Sequence, residues 1–381
     1  MKKLKFCQLI LLIISLILST EIYASVKAVQ ISYLDCHTVE SFNKELVKIK
    51  KAGFNTVIFR VFNNRGDRIY PFLHNVKNKS GVYFKTKQAP IVYNLLPVVV
   101  KLCHKNKLKI VAWLTTRYLD FNRDKSLKKV VTYDFKSNKF QYSKGLTFFS
   151  NKNISYILKV FQDLLKYDID GILLQDDVKI LIDEDFNISA LKTFYRQTGI
   201  KLTEKNVRKI LYKNAKARDK ICSSRYLTIW NNIKSRQISR FVKKLVDSCK
   251  QKRKDIKIFM NVNYETVYRP RLSKLWYSYT LDTLANTGVD YFLVMLYQIQ
   301  MIKELHLNKN PYDVIFGIVK NSYRVPEYKK IIFKFQTYNW YDNKLISVNN
   351  LNKMFTFFNS HNIRNIAIFP YKKNLTLFKF E

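Results

Sequence analysis

The sequence predicts an α/β fold: a (β/α)₈ barrel in a single domain, with a helical excursion after the fourth strand. Three observations carry this. Eight short runs rich in Val, Ile, Phe and Tyr recur at wide spacing. They are apolar on both faces, as parallel strands covered by helices must be. Amphipathic segments lie between them, and strand alternating with helix eight times is the pattern of a barrel. An open doubly wound sheet would want a Gly-rich turn after its first strand; here that run continues into "LDCHTVES", which has no glycine.

The predicted strands are "KAVQISYLD" (27–35), "NTVIFRVFN" (55–63), "KIVAWLTT" (109–116), "DGILLQDD" (170–177), "KIFMNVN" (257–263), "DYFLVMLYQ" (290–298), "KIIFKFQT" (330–337) and "NIAIFPY" (365–371). The first helix, 38–53, opens on Thr38, carries Phe42, Leu46 and Ile49 on one face, and ends on Gly53. A second, 90–107, contains Pro97, which kinks it or marks its true start. Residues 153–168 form the cleanest amphipathic segment. Residues 189–250 hold two or three helices, and 349–362 precede the last strand.

The chain has 381 residues, 47% of them hydrophobic, enough for one large core. "MKKLKF" is a basic leader and "CQLILLIISLILS" a short apolar stretch. Ala24 offers a small residue for cleavage. Residues 1–24 are therefore expected to be a signal peptide and 25–381 the barrel domain, placed in the periplasm or secreted, with outer-membrane association open. Export leaves Cys36, Cys103, Cys222 and Cys249. None forms a C-x-x-C pair, so no metal site is expected. Cys222 and Cys249 flank one helical region and are a candidate disulfide; the alternative is four buried thiols.

The formal charge is +40. Without the leader the chain loses Lys2, Lys3, Lys5 and Glu21 and carries +38. Its lysines are spread along the whole length, in runs no longer than "KQKRKD" (250–255), and no nucleic-acid-binding pattern is present. Nucleic acid is not expected as a partner. An anionic envelope surface is compatible with the charge, and a monomer is expected.

In a barrel, reactive residues gather at the C-terminal strand ends. Those ends carry Asp35, Asn63, Thr115 with Asp120 nearby, Asp176 and Asp177, Asn261 and Asn263, Tyr297, Gln336 with Trp340, and Tyr371. Acids are scarce in this chain, so the pair Asp176–Asp177 stands out as the candidate catalytic centre. Two close carboxylates cannot both ionise freely, and the one kept neutral can donate a proton. Along an extended strand they point to opposite faces. One should look into the mouth; the other sits at the rim, or caps the next segment or pairs with a base. Trp113, Tyr118, Tyr264, Tyr268, Tyr297, Trp340 and Tyr371 cluster at or near strand ends, and flat rings with polar edges suit sugar faces.

The same residues carry a family resemblance. The chain resembles the C-terminal glycoside hydrolase domain of the poly-β-1,6-N-acetyl-D-glucosamine N-deacetylases, exported proteins of biofilm exopolysaccharide systems. "KIVAWLTTRYLDF" is similar to the family's "AWMPVLAFDL"-type segment, "DGILLQDD" to "DGILFHDD", "DYFLVMLYQIQM" to "DYTAVMAMPYME", and "KIIFKFQTYNW" to "KTVFELQTVDW". The resemblance spans roughly 27–371. It implies an endo-acting hydrolase with Asp176 and Asp177 catalytic. Asp35, Trp113, Asp120, Tyr297, Gln336 and Trp340 would bind substrate, without a cofactor, and Asn261 at its strand end is expected to orient the sugar with Tyr297. The export machinery for the polysaccharide is the implied partner. The deacetylase domain has no counterpart here. Gln175 replaces the His of "HDD", and the late "YPDDF" reads "FPYKK".

The leading expectation is therefore a hydrolase of a poly-N-acetylglucosamine exopolysaccharide, acting by carboxylate general-acid catalysis or with help from the substrate's acetamido group. The alternatives are a non-catalytic barrel that binds the polymer, and an envelope protein whose basic surface binds anionic lipid or polysaccharide. Because a deacetylated polymer is cationic, the mouth is expected to be neutral or acidic around Asp120, Asp176 and Asp177, with Lys and Arg on the outer wall.

Overall fold

The computed structural model describes residues 25–121, 124–306, 311–373 and 375; the leader, 1–24, lies outside them. Eight parallel strands close a barrel in sequential order. They are β1 (Lys27–Ile31), β2 (Thr56–Arg60), β3 (Lys109–Leu114), β4 (Gly171–Leu174), β5 (Lys257–Asn263), β6 (Tyr291–Leu296), β7 (Ile331–Gln336) and β8 (Ile366–Phe369). All eight coincide with the predicted runs.

The registers reveal one inward layer. Gln30 on β1 stands level, through Ile58, with Val111 of β3. Strand tilt raises that level by two residues, to Trp113. Trp113 connects through Leu173 to Phe259, and the next step of two gives Asn261. Asn261 connects through Leu293 to Ile332, and the step gives Lys334. Lys334 connects through Ala367 to Ala28, and the last step returns to Gln30. Four steps of two make the shear of about 8 of this barrel class. Gln30, Trp113, Asn261 and Lys334, one from each odd strand, thus share one level.

The opposite end is tied by side chains that precede the even strands. Asn55 accepts the Lys27 N–H at 3.0 Å, Asp170 the Ile110 N–H at 2.8 Å and Asp290 the Ile258 N–H at 2.8 Å. Asn365 accepts from Val26 at 2.9 Å. Each satisfies an amide at or beside an odd strand's start, which would otherwise face the floor unpaired.

The helices follow the expected pattern closely. Val39–Lys51 has Thr38 as its cap in a reciprocal capping box with Ser41. Pro97 lies in the first turn of Leu96–Lys105 and so marks a start, not a kink. Val348–Ser360 precedes β8. The excursion after β4 runs through Ile188–Thr198, Val207–Tyr212 and the long helix Arg225–Lys252. With an antiparallel ribbon, Lys129–Asp134 and Lys139–Leu146, it builds a satellite core around Tyr133, Phe186, Phe194, Tyr212 and Trp230. That ribbon was not foreseen. Nor is the candidate disulfide formed: Cys222 is exposed, Cys249 buried, and all four described thiols are free.

Candidate functional site

The acidic pair follows β4 directly, and the chain has turned before reaching it. This turn sends the two carboxylates to different places. Asp177 is 2% exposed. It accepts from the Thr115 hydroxyl at 2.6 Å, the Thr116 hydroxyl at 2.7 Å, and the N–H groups of Thr116, Arg117 and Tyr118 at 2.8–3.1 Å. Three successive amides form a concave nest around it. Asp177 therefore clamps the end of β4 to the end of β3. The expectation that it reacts with substrate is corrected: its oxygens are saturated by protein donors.

Asp176 is the open member. Its side chain is 44% exposed, with Lys179 Nζ at 3.8 Å. Its charge reaches Lys334, Tyr297 and Tyr279, which places it over the mouth.

After β5, the strand next to β4, stands a carboxyl that was not among the expected strand-end residues. Glu265 accepts from the Tyr277 hydroxyl at 3.2 Å, and its other oxygen, Oε2, is buried without a hydrogen-bond partner. Burial pushes its pKa up, the nearby Glu304 adds to this, and Lys179 and Tyr277 oppose it. Lys179 also lies 5.5 Å from the Tyr277 ring centre, so its charge acts on both carboxyl groups. Buried Tyr279 feels the charge of both.

The floor of the mouth is the layer defined by the registers. Lys334 is 1% exposed; its ammonium donates to Asn261 Oδ1 at 2.5 Å and Gln30 Oε1 at 3.1 Å. Burial lowers its pKa to about 7, against the pull of Asp176. Asn261 is thus engaged beneath the surface. Above it the rings of Tyr297 and Phe369 lie 5.7 and 5.5 Å from Nζ. Phe369 meets Trp113 edge-on at 5.8 Å, and Tyr297 meets Trp340 at 5.1 Å. These rings form an aromatic lane across the mouth, ending at Trp340, 37% exposed.

The remaining expected residues fall into two groups. Gln336 is buried and wholly employed. Its Oε1 caps the helix Gln298–Glu304 through the N–H groups of Ile299 and Gln300, and its Nε2 donates to the Tyr338 carbonyl at 2.8 Å. It holds loops and presents nothing to a ligand, correcting its assignment as a substrate contact. Asp120 is exposed and accepts the Arg65 N–H at 2.7 Å, pinning the β2 loop to the β3 loop. Asp35 lies exposed on the rim, with the Tyr33 hydroxyl at 3.3 Å. The expectation that Lys and Arg keep to the outer wall is also corrected. Lys179 and Lys334 stand at the mouth itself, and Arg68, Lys372 and Lys373 line a rim cleft of about 380 Å³ with Asp35.

The fold and its relatives agree. The glycoside hydrolase domain of PgaB (BpsB) from Bordetella bronchiseptica superimposes with a TM-score of 0.69 at 20% identity, covering 91% of this chain and 94% of that one. Alpha-L-fucosidase isoenzyme 2 from Paenibacillus thiaminolyticus gives 0.55 at 11% identity, over 91% of this chain and 46% of that one. The catalytic domain of beta-amylase from Paenibacillus polymyxa gives 0.53 at 9%, over 91% and 93%. No curated protein matches the chain in sequence. The pattern of one family of glycosidases does match, from residue 38 to residue 369, across the barrel and through the mouth just described: this chain belongs to hypothetical glycosyl hydrolase family 13.

Proposed function

We propose that the protein is an exported glycosidase that cleaves an N-acetylglucosamine-type exopolysaccharide inside the chain, with Asp176 and Glu265 as its two working carboxyl groups. One observation carries this: of the two adjacent aspartates, one is saturated by protein donors and the other is open beside an aromatic lane. Sugar rings lie on Trp340, Tyr297 and Phe369. Glu265 keeps its proton to higher pH than an ordinary carboxyl, because it is buried near Glu304. It gives that proton to the leaving glycosidic oxygen. Asp176, facing Lys179, stabilises the positive charge that develops on the sugar, directly or by orienting the acetamido group. The leader directs export to the periplasm or beyond.

The test is release of reducing ends from a β-1,6-linked N-acetylglucosamine oligomer. The wild type should release them, and Asp176→Asn and Glu265→Gln should each reduce the rate by about 10²–10⁴-fold. A wild type that binds the oligomer and never cleaves it supports the second reading, a binding barrel. The ammonium of Lys179 beside Asp176 is the observation that favours this second reading.

A further inference from the structure

The cleft on the rim lies between the loops that follow β1, β2, β7 and β8. Its walls include Tyr33, Arg68, Tyr338, Lys372 and Lys373. The Arg68 guanidinium lies 5.9 Å from the Tyr33 ring centre, and the Lys372 ammonium 4.9 Å from that of Tyr338. The two cations are close enough that Arg68, after burial, lowers the Lys372 pKa. Among the described residues no carboxylate pairs with either. Asp35, the acid lining the cleft, turns to the Tyr33 hydroxyl and to His37 at 3.9 Å. The neighbouring Asp67 is taken by Arg60 at 3.1 Å. Two like charges held together without a counter-charge are unfavourable unless an anion joins them.

One further observation says what that anion is attached to. Tyr338 lines the cleft, and Trp340, two residues on in the turn of the hairpin Tyr338–Asn339 paired with Lys344–Leu345, meets Tyr297 at 5.1 Å, so this one hairpin borders both the cleft and the aromatic lane. An extended chain lying on the lane reaches the cleft.

We infer that this cleft is a subsite for an anionic substituent on the glycan, a carboxylate, sulfate or phosphate carried by a sugar bound along the lane, gripped by Arg68 and Lys372. Arg68 offers a planar fork that matches such an oxyanion in two bonds, and Lys372 a point charge. Lys373, donating to the Asp35 carbonyl at 3.4 Å, holds the β1 loop against the β8 end beside it. The substrate class is then an acidic or acid-decorated amino-sugar polymer, opposite in charge to a deacetylated one. This rests on the glycan groove proposed above, and binding is measured apart from cleavage to keep the two separable.

The probes are a hyaluronan hexasaccharide, which alternates glucuronate with N-acetylglucosamine, and uncharged chitohexaose, titrated into the full mature protein by calorimetry at physiological salt. The wild type should bind the acidic probe at least about tenfold more tightly. Arg68→Ala and Lys372→Met should each remove most of that preference and leave chitohexaose affinity within about twofold. Lys101→Met, an equal loss of charge on the outer helix Leu96–Lys105, should leave the preference intact. Equal affinity for the two probes overturns the proposal. So does an equal drop in all three variants, which is diffuse attraction. So does inorganic phosphate or a phosphatidylglycerol vesicle binding through Arg68 and Lys372 while the hexasaccharide does not. A preserved preference in a protein that cleaves no oligomer upholds the subsite and fails the hydrolase alone.

Discussion

Asp177 and Thr116 are joined three times: the Thr116 hydroxyl donates at 2.7 Å, and its N–H reaches the two carboxylate oxygens at 2.9 and 3.1 Å. A carboxylate held in this way belongs to the frame of the site. Its neighbour Asp176, one residue earlier, is free to act.

Removing the frame should cost stability. Asp177→Ala leaves the buried amides of Thr116, Arg117 and Tyr118 and two hydroxyls without their acceptor. Loss of a buried, multiply bonded charge costs on the order of 3–5 kcal/mol. Chemical denaturation should show that drop; an unchanged midpoint would mean the donors find water.

Glu265→Gln should stabilise the protein while slowing it. The folded pKa of Glu265 is raised. Its unfavourable contribution is absent below the ordinary glutamate value, and it grows as pH rises through that value toward the folded one. A neutral amide avoids it, so the gain should be visible at pH 7 and vanish near pH 4. Equal stability changes at both pH values would exclude a raised pKa.

Lys334 and Lys234, a buried lysine of the long helix Arg225–Lys252 that donates to the Leu181 carbonyl at 2.7 Å, set a second pH dependence. Burial brings both to about 7 in the folded chain. Below that pH each buried ammonium carries its full penalty. Between about 7 and the ordinary lysine value the unfolded chain holds protons that the folded chain has released, so stability rises with pH. The rise should appear between pH 7 and 9, before the buried thiols and tyrosines reverse it. Lys334→Met should remove about half of it in urea melts, Lys234 supplying the rest; an unaltered slope would assign it elsewhere.

Gly171, the glycine of "DGILLQDD", has a packing cause. A Cβ there would lie 2.7 Å from the Phe259 ring and 2.9 Å from the Lys257 carbonyl oxygen. The backbone oxygen cannot yield easily. Gly171→Ala should cost about 1–3 kcal/mol by overpacking β4 against β5, read as a lower denaturation midpoint.

The eight strands were legible because each is apolar on both faces, a pattern that needs no knowledge of neighbours. The helix start at Thr38 was legible because a local cap sets it, whereas at Pro97 the sequence left a kink and a start both open, and the first-turn position settles it as a start. What lay hidden depends on distant partners. The role of Asp177 is decided by Thr115–Tyr118, about sixty residues earlier in the chain. Lys334 reads as an odd charge in "KIIFKFQT" until Gln30 and Asn261 are brought around it by the shear. Glu265 was within reach, two residues beyond Asn263 in a chain poor in acids, yet it opens a helix instead of ending a strand. The ribbon at 129–146 escaped because its exposed face is lysine-rich and its apolar face covers the excursion, not the barrel.

The division of labour between the two aspartates is most directly tested by turnover and melting on Asp176→Asn and Asp177→Asn, with one β-1,6-linked N-acetylglucosamine oligomer as substrate. Asp176→Asn should melt like the wild type and lose about 10²–10⁴-fold in rate. Asp177→Asn should melt lower and lose rate chiefly as the folded fraction falls. Full turnover by Asp176→Asn, or a wild-type melt with abolished turnover in Asp177→Asn, would contradict this assignment.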